Sequence, residues 1–289
     1  MSRILVIGSA GQLGQELQQT LVPLGEVVAV DRTTLDLSQL DQIRELVRQL
    51  QPQIVINAAA YTAVDQAQKE PETARMINAI APTILAQELE KLKALLIHVS
   101  TDYVFDGSKN HPYQEDDLPN PLSIYGQSKL AGEQGIKENC QSYLILRTAW
   151  VYGAYGKSNF VKTMLRLGSE REEVRVVTDQ IGTPTWAKNI AEAIAQLTSI
   201  SADTGIYHYT NSGVASWYDF AVAIFEEAKQ LGFPLKVQRV IPITTSEYPT
   251  PAQRPTYSVL SCRKISTVLN TCPPHWRQGL RQMLKSVNT

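Results

Sequence analysis

ILVIGSAGQLGQEL, residues 4–17, passes from a short apolar run through three evenly spaced glycines into a helical pattern. Each glycine has a task in such a corner. Gly8 makes the tight turn off the strand, Gly11 lets the backbone approach a pyrophosphate, and Gly14 lets helix and strand pack closely. The helix start then offers free N–H groups and partial positive charge to phosphates. The alternative is an ordinary strand–turn–helix corner, and the remainder of the chain decides between the two.

Apolar runs at 27–30, 54–57, 94–100, 143–149, 174–178 and 205–210 follow the first strand at 3–7. Helical patterns lie between them, near 12–22, 39–50, 71–92, 126–139, 158–170, 187–199 and 216–231. Nearly unbroken apolar strands imply burial on both faces. The alternation predicts an α/β fold, a doubly wound parallel sheet of Rossmann type with a second, smaller substrate-binding subdomain. Residues 1–150 and 186–230 are assigned to the dinucleotide-binding unit. Residues 151–185 and the proline-rich 231–289 are assigned to the smaller one. Pro82 predicts a kink or a fresh start inside its helical stretch.

The 289-residue chain is 43% hydrophobic and 19% charged, with net charge −1. That is a globular composition without the basic field that nucleic acid or anionic lipid would need. No apolar run approaches a membrane span, and the N-terminal run is too short for a signal-peptide core. Cys140, Cys262 and Cys272 make no disulfide framework or zinc spacing, which predicts a reduced, cytoplasmic setting and no metal.

Asp31 closes the second strand, where an acid accepts hydrogen bonds from adenosine ribose hydroxyls and suits NAD. Arg32 follows and suits the extra phosphate of NADP. Tolerance of both NADPH and NADH is therefore expected, although Asp31 also reads as a turn residue and Arg32 as a solvated charge. Asp36 and Leu37 offer a cradle for adenine. INAAAYT (56–62) ends the third strand in small residues, leaving room for a flat ligand or for close helix packing.

HVSTDYVFDG (98–107) closes the fourth strand with Ser100, Thr101 and Asp102, a capping motif or a substrate-facing end. SIYGQSK (123–129) places Tyr125 four residues ahead of Lys129, so both share one helix face. An ammonium beside a phenol favours the phenolate and tunes a weak acid toward the working pH. With a Thr101 hydroxyl on the same carbonyl oxygen, the set suits hydride transfer to a ketone while Tyr125 protonates the oxygen. The lysine can also hold the nicotinamide ribose. Trp150 and Tyr152 follow the fifth strand, where aromatics pack on a sugar or base, and Arg254 offers a fork of donors to a diphosphate. Each of these three also reads as structural.

These residues together resemble the extended short-chain dehydrogenase/reductase superfamily. GxxGQLG, NAAAYTAVDQAQKEPETARMIN, STDYVFDG, PYQEDDLPNPLSIYGQSKLAGE, LRTAWVYG, NFVKTML, DQIGTPT and YPTPAQRP resemble its dTDP-4-dehydrorhamnose reductase family, in order and across nearly the whole chain. The resemblance implies NAD(P)H-dependent reduction of a 4-keto sugar nucleotide, the last step of dTDP-L-rhamnose synthesis for surface polysaccharide. It implies Tyr125 as proton donor, Lys129 as its partner and Thr101 as the positioning hydroxyl. It further implies Thr101, Asp102 and Trp150 around the sugar, and Gly11, Gln12, Leu13, Asp31, Asp36, Leu37, Ala60, Tyr61 and Thr62 on the cofactor. Some members form metal-bridged dimers through glutamates. Here Lys188 stands in the segment where such an acid is expected, leaving Glu16 alone, so no metal bridge is predicted and monomer or homodimer stays open. Competing readings are a non-catalytic regulatory subunit of the same fold and a sister epimerase or dehydratase. The intact Thr101, Tyr125 and Lys129 argue against the first. Tyr103, where dehydratases carry a glutamate, argues against elimination.

Overall fold

The computed structural model describes residues 2–287; Met1, Asn288 and Thr289, at the outer ends of the two assigned units, lie outside the described residues. Strands β1 (Ser2–Ile7), β2 (Gly25–Val30), β3 (Ile54–Asn57), β4 (Leu95–Thr101) and β5 (Tyr143–Thr148) lie in one parallel sheet. Strand β6 (Glu173–Val177) lies outside it, and β7 (Gly205–His208) completes six strands in the order β7-β5-β4-β3-β1-β2. Because β1 is flanked by β2 and β3, the strand order reverses there. Ligands of such sheets bind in the crevice beyond the carboxyl ends at that reversal.

The alternation of β1 explains why the sheet is covered twice. Leu5 and Ile7 enter one apolar cluster and Ile4 and Val6 the other, all at most 2% exposed. Helix α1 (Gln12–Thr20) covers the face of Ile4 and Val6. Helices α2 (Leu40–Leu50), α3 (Ala81–Leu92) and α4 (Ile124–Asn139) cover the opposite face. Each such fully buried aliphatic side chain stabilises by about 1.5–3 kcal/mol relative to exposure.

The stretch 71–92 does start afresh near Pro82. Helix Pro71–Arg75 runs into a π-helical turn, Met76–Ile80, and Pro82 sits in the first turn of α3. The missing proline N–H falls where regular bonding is already interrupted.

A third apolar cluster gathers α5 (Phe160–Glu170), β6, α7 (Trp217–Gln230), strand β8 (Arg239–Ile243) and α8 (Trp276–Val287). Strand β6 pairs in parallel with β8. Its Arg175 alternates with buried Val174 and Val176, the pattern of a strand covered on one side only, so it never joins the main sheet. Helix α6 (Ala187–Ser199) packs on α1 in the first unit. Helix α7, which the sequence reading assigns to that unit, buries Phe220 and Ile224 in the third cluster instead. Its start is set by a capping box between Ser216 and Asp219. The short helices Val64–Ala67 and Arg263–Leu269 lie where no helix is expected from periodicity.

Candidate active site

The glycine turn is as tight as its chemistry requires. Gly8 has φ +91°, and a Cβ there would lie 2.8 Å from the Ala59 nitrogen. A Cβ on Gly14 would lie 2.1 Å from the Gly8 carbonyl oxygen. Gly11 caps α1 and gives its N–H to the same oxygen at 3.0 Å. Gln12 accepts from Asn159 Nδ2 at 2.9 Å, tying the turn to the start of α5. Leu13 is buried in the core, which leaves only its backbone on the side of the turn.

At the end of β2, Asp31 Oδ1 accepts from the Thr33 N–H at 2.9 Å and the Thr33 hydroxyl at 2.6 Å, which holds its carboxyl below the usual range. Arg32 is 80% exposed and lies 3.6 Å from Asp36 Oδ2. Asp36 also takes the Ser38 N–H at 2.9 Å, whereas Leu37 is buried in the core. Beyond β3, Ala60 and Tyr61 are half-buried and Thr62 is exposed. Asn78 pins this loop: its Oδ1 takes the Tyr61 N–H at 2.8 Å, and its Nδ2 reaches the Tyr61 carbonyl and the Ser128 hydroxyl, each at 3.0 Å. The π-helical turn turns Asn78 inward, a use such turns often have at functional sites.

The start of α4 carries the chemistry. Ser123 caps it by accepting the Gly126 N–H at 3.2 Å. A Cβ on Gly126 would lie 2.2 Å from the Tyr103 carbonyl oxygen, so this glycine lets α4 press against the end of β4. There the Tyr125 phenol stands beside the Thr101 side chain. Burial pushes the phenol up to about 12, the nearby Thr101 hydroxyl pulling it only partly back. Asp102 is 2% exposed; burial pushes its carboxyl up to about 6. Its Oδ1 accepts from the Thr101 hydroxyl at 3.1 Å, while Oδ2 has no protein partner.

Lys129 is 1% exposed, and its Nζ donates to the Val99 carbonyl at 2.7 Å and lies 3.0 Å from His98 Nε2. The Tyr125 phenol itself is raised by burial. Ser100 donates to Glu133 at 2.5 Å, beneath the crevice and away from Tyr125.

Around the sugar region, Trp150 has φ +47° and stacks on Trp217 at 3.5 Å and 5°, against Gly182. Strained backbone of this kind gathers at functional sites. Tyr152 is fully buried, with its hydroxyl on the Trp276 carbonyl at 3.2 Å, so it is a core residue and not a sugar platform. Arg254 grips Asp65 through two nitrogens, at 3.1 and 2.7 Å, and bonds Thr250 and the Ala252 carbonyl. It thereby straps the 250s segment to the loop after β3 and lies beside Tyr103. Three residues here, Asn57, Asn78 and His98, lie inside the quoted motifs but receive no role from the sequence. The one visible signal is polarity inside an apolar run. Among the described residues, none group as a His, Cys, Asp or Glu metal cluster, and no helix is long and apolar enough to cross a membrane.

Comparison with known proteins agrees with this geometry. The family described as RmlD substrate binding domain matches residues 1–289. The dTDP-4-dehydrorhamnose reductase of Escherichia coli K12 is 42% identical, covering 99% of this chain and 98% of that protein. The spore coat polysaccharide biosynthesis protein SpsK of Bacillus subtilis is 44% identical over 99% of this chain and 98% of its own. The crystal structure of a Bacillus anthracis dTDP-4-dehydrorhamnose reductase in complex with NADP has a TM-score of 0.92 and 41% identity, covering 99% of both chains. The family match over residues 1–289 and the full-length similarity to these reductases place the chain in the RmlD family of dTDP-4-dehydrorhamnose reductases.

Proposed function

We propose that this chain reduces the 4-keto group of dTDP-4-dehydro-L-rhamnose to give dTDP-L-rhamnose. The observation that carries the mechanism is the Tyr125 phenol, kept protonated by burial beside Thr101 at the carboxyl end of β4. A phenol in that state is a proton donor already charged for its task. Thr101 and Tyr125 present two hydroxyls to one carbonyl oxygen, and Tyr125 hands its proton to that oxygen as negative charge develops. Asp102, with a free Oδ2 and a raised pKa, is suited to a sugar hydroxyl. Trp150 borders the sugar and Arg254 faces the diphosphate, for which Asp65 is the competing anion.

The glycine turn fits a dinucleotide, since side chains on Gly8 or Gly14 would fill the space the backbone needs. NADPH supplies the hydride. The backbone at Gly8, Gly11, Gln12, Leu13 and Gly14 would hold the pyrophosphate. Asp31, Arg32, Asp36 and Leu37 would lie at the adenosine end, and Ala60, Tyr61, Thr62 and Lys129 at the nicotinamide end. A cytoplasmic setting suits such a nucleotide sugar and the free thiols of Cys140, Cys262 and Cys272.

Mixing the protein with dTDP-4-dehydro-L-rhamnose and either NADPH or NADH should consume the reduced nicotinamide. No consumption with either would defeat the reading. Arg32→Ala should weaken NADPH more than NADH, because only NADPH offers a phosphate to a guanidinium that now has just a long, exposed contact to Asp36. Equal weakening, measured by fluorescence titration, would show that Arg32 does not read the phosphate.

A further inference from the structure

Behind Lys129 lies a row of polar atoms that this mechanism does not use. Asn57 and His98 are 0% exposed and Lys129 is 1% exposed. The Ala59 backbone N–H, a donor without choice, lies 3.2 Å from Asn57 Oδ1. That turns Asn57 Nδ2 toward His98 Nδ1, at 3.2 Å. An amide nitrogen only donates, so Nδ1 must offer a lone pair. A neutral imidazole carries one N–H, which is then on Nε2. Burial keeps His98 well below its usual pKa, hence neutral. Nε2 lies 3.0 Å from Lys129 Nζ. An ammonium would meet that N–H donor to donor, whereas an amine accepts it and still donates to the Val99 carbonyl at 2.7 Å. Reversing the Asn57 amide would set its NH2 against the Ala59 N–H.

We propose that Asn57 and His98 form a buried chain that presents an N–H to Lys129 and so holds it as the neutral amine, making Lys129 take up a proton when it engages a cofactor. The second half rests on the reading that Lys129 holds the nicotinamide ribose as a cation. Asn57 and His98 are positioning residues, acting through the lysine.

The groups around Lys129 leave its titration legible. On its own helix, Glu133 is bonded to Arg147 and Ser100, and Tyr125 is pushed up to about 12. From β4, His98 is neutral, and beyond Tyr125 Asp102 is pushed up to about 6. Burial, opposed by the charge of Glu133, already brings Lys129 down to about 8, and the chain acts in the same direction as burial. Since engagement favours the charged form, affinity is full where the lysine is already an ammonium. It declines as pH rises through the depressed pKa, approaching roughly tenfold per pH unit for one proton.

The test is 13C NMR of protein labelled at lysine Cε, with the resonance assigned by its loss in Lys129→Met. Lys129 should titrate at or below about pH 8, and NADPH added there should shift it to the ammonium position. Asn57→Asp accepts from both the Ala59 N–H and His98 Nδ1, which moves the imidazole proton and gives Lys129 a lone pair. Its lysine should titrate higher by about one pH unit or more. His98→Gln, whose carbonyl oxygen can face Nζ, is the second variant and should move the same way. A wild-type lysine charged to about pH 10, as an unperturbed one is, overturns the proposal. So do both variants titrating as wild type. NADPH that binds without shifting the resonance overturns the proton uptake. NADPH that fails to bind at any pH defeats the functional reading instead, and the titration without NADPH still decides the chain.

Discussion

Tyr125→Phe should cut turnover by at least ~100-fold, the low end for loss of a general acid. It should leave NADPH affinity close to wild type. The ring keeps its edge-on packing against Tyr103, with centroids 5.6 Å apart at 75°, so the fold is not expected to suffer. Thr101 retains its bond to Asp102 at 3.1 Å and stays in place. What disappears is the one proton that burial keeps on the phenol. Steady-state rates read beside a cofactor titration separate the two effects. Turnover near wild type would remove Tyr125 from the mechanism.

Arg147→Met should be the most destabilising single change, costing about 3–5 kcal/mol. Arg147 and Glu133 side chains are each 2% exposed, joined at 2.6 Å through Nη2 and at 3.0 Å through Nε. Removing the guanidinium strands a carboxylate in the interior with only the Ser100 hydroxyl left to it. Replacing both partners, Arg147→Met with Glu133→Leu, should recover much of the loss, because no unpaired charge then remains. Urea unfolding of the single and double variants measures both quantities. A single-variant cost below about 1 kcal/mol would contradict the burial of this pair.

What the sequence disclosed was whatever depends on near neighbours along the chain. Gly8 and Gly14 announce their turn because a side chain at either would collide with backbone. Tyr125 and Lys129 share a helix face by simple periodicity, and β3 falls where IVIN placed it. What stayed hidden depends on packing between distant segments. Lys129 finds His98, 31 residues earlier. Tyr152 follows Trp150 closely yet turns into the core to meet Trp276. Arg254 is taken by Asp65, 189 residues away. Helix α7 shows its amphipathic pattern, but nothing in that pattern says which of two cores it will cover.

The π-helical turn at Met76–Ile80 gives the chain an unusual sensitivity to length. One surplus residue in that turn sets the phase of everything before it, and an α-helix advances roughly 100° per residue. Trimming a single position there would let the coil run smoothly into α3 while swinging Asn78 out of reach of both Tyr61 and Ser128. The loop after β3 would lose its anchor. Indels, more than substitutions, are what this corner of the molecule is built to refuse.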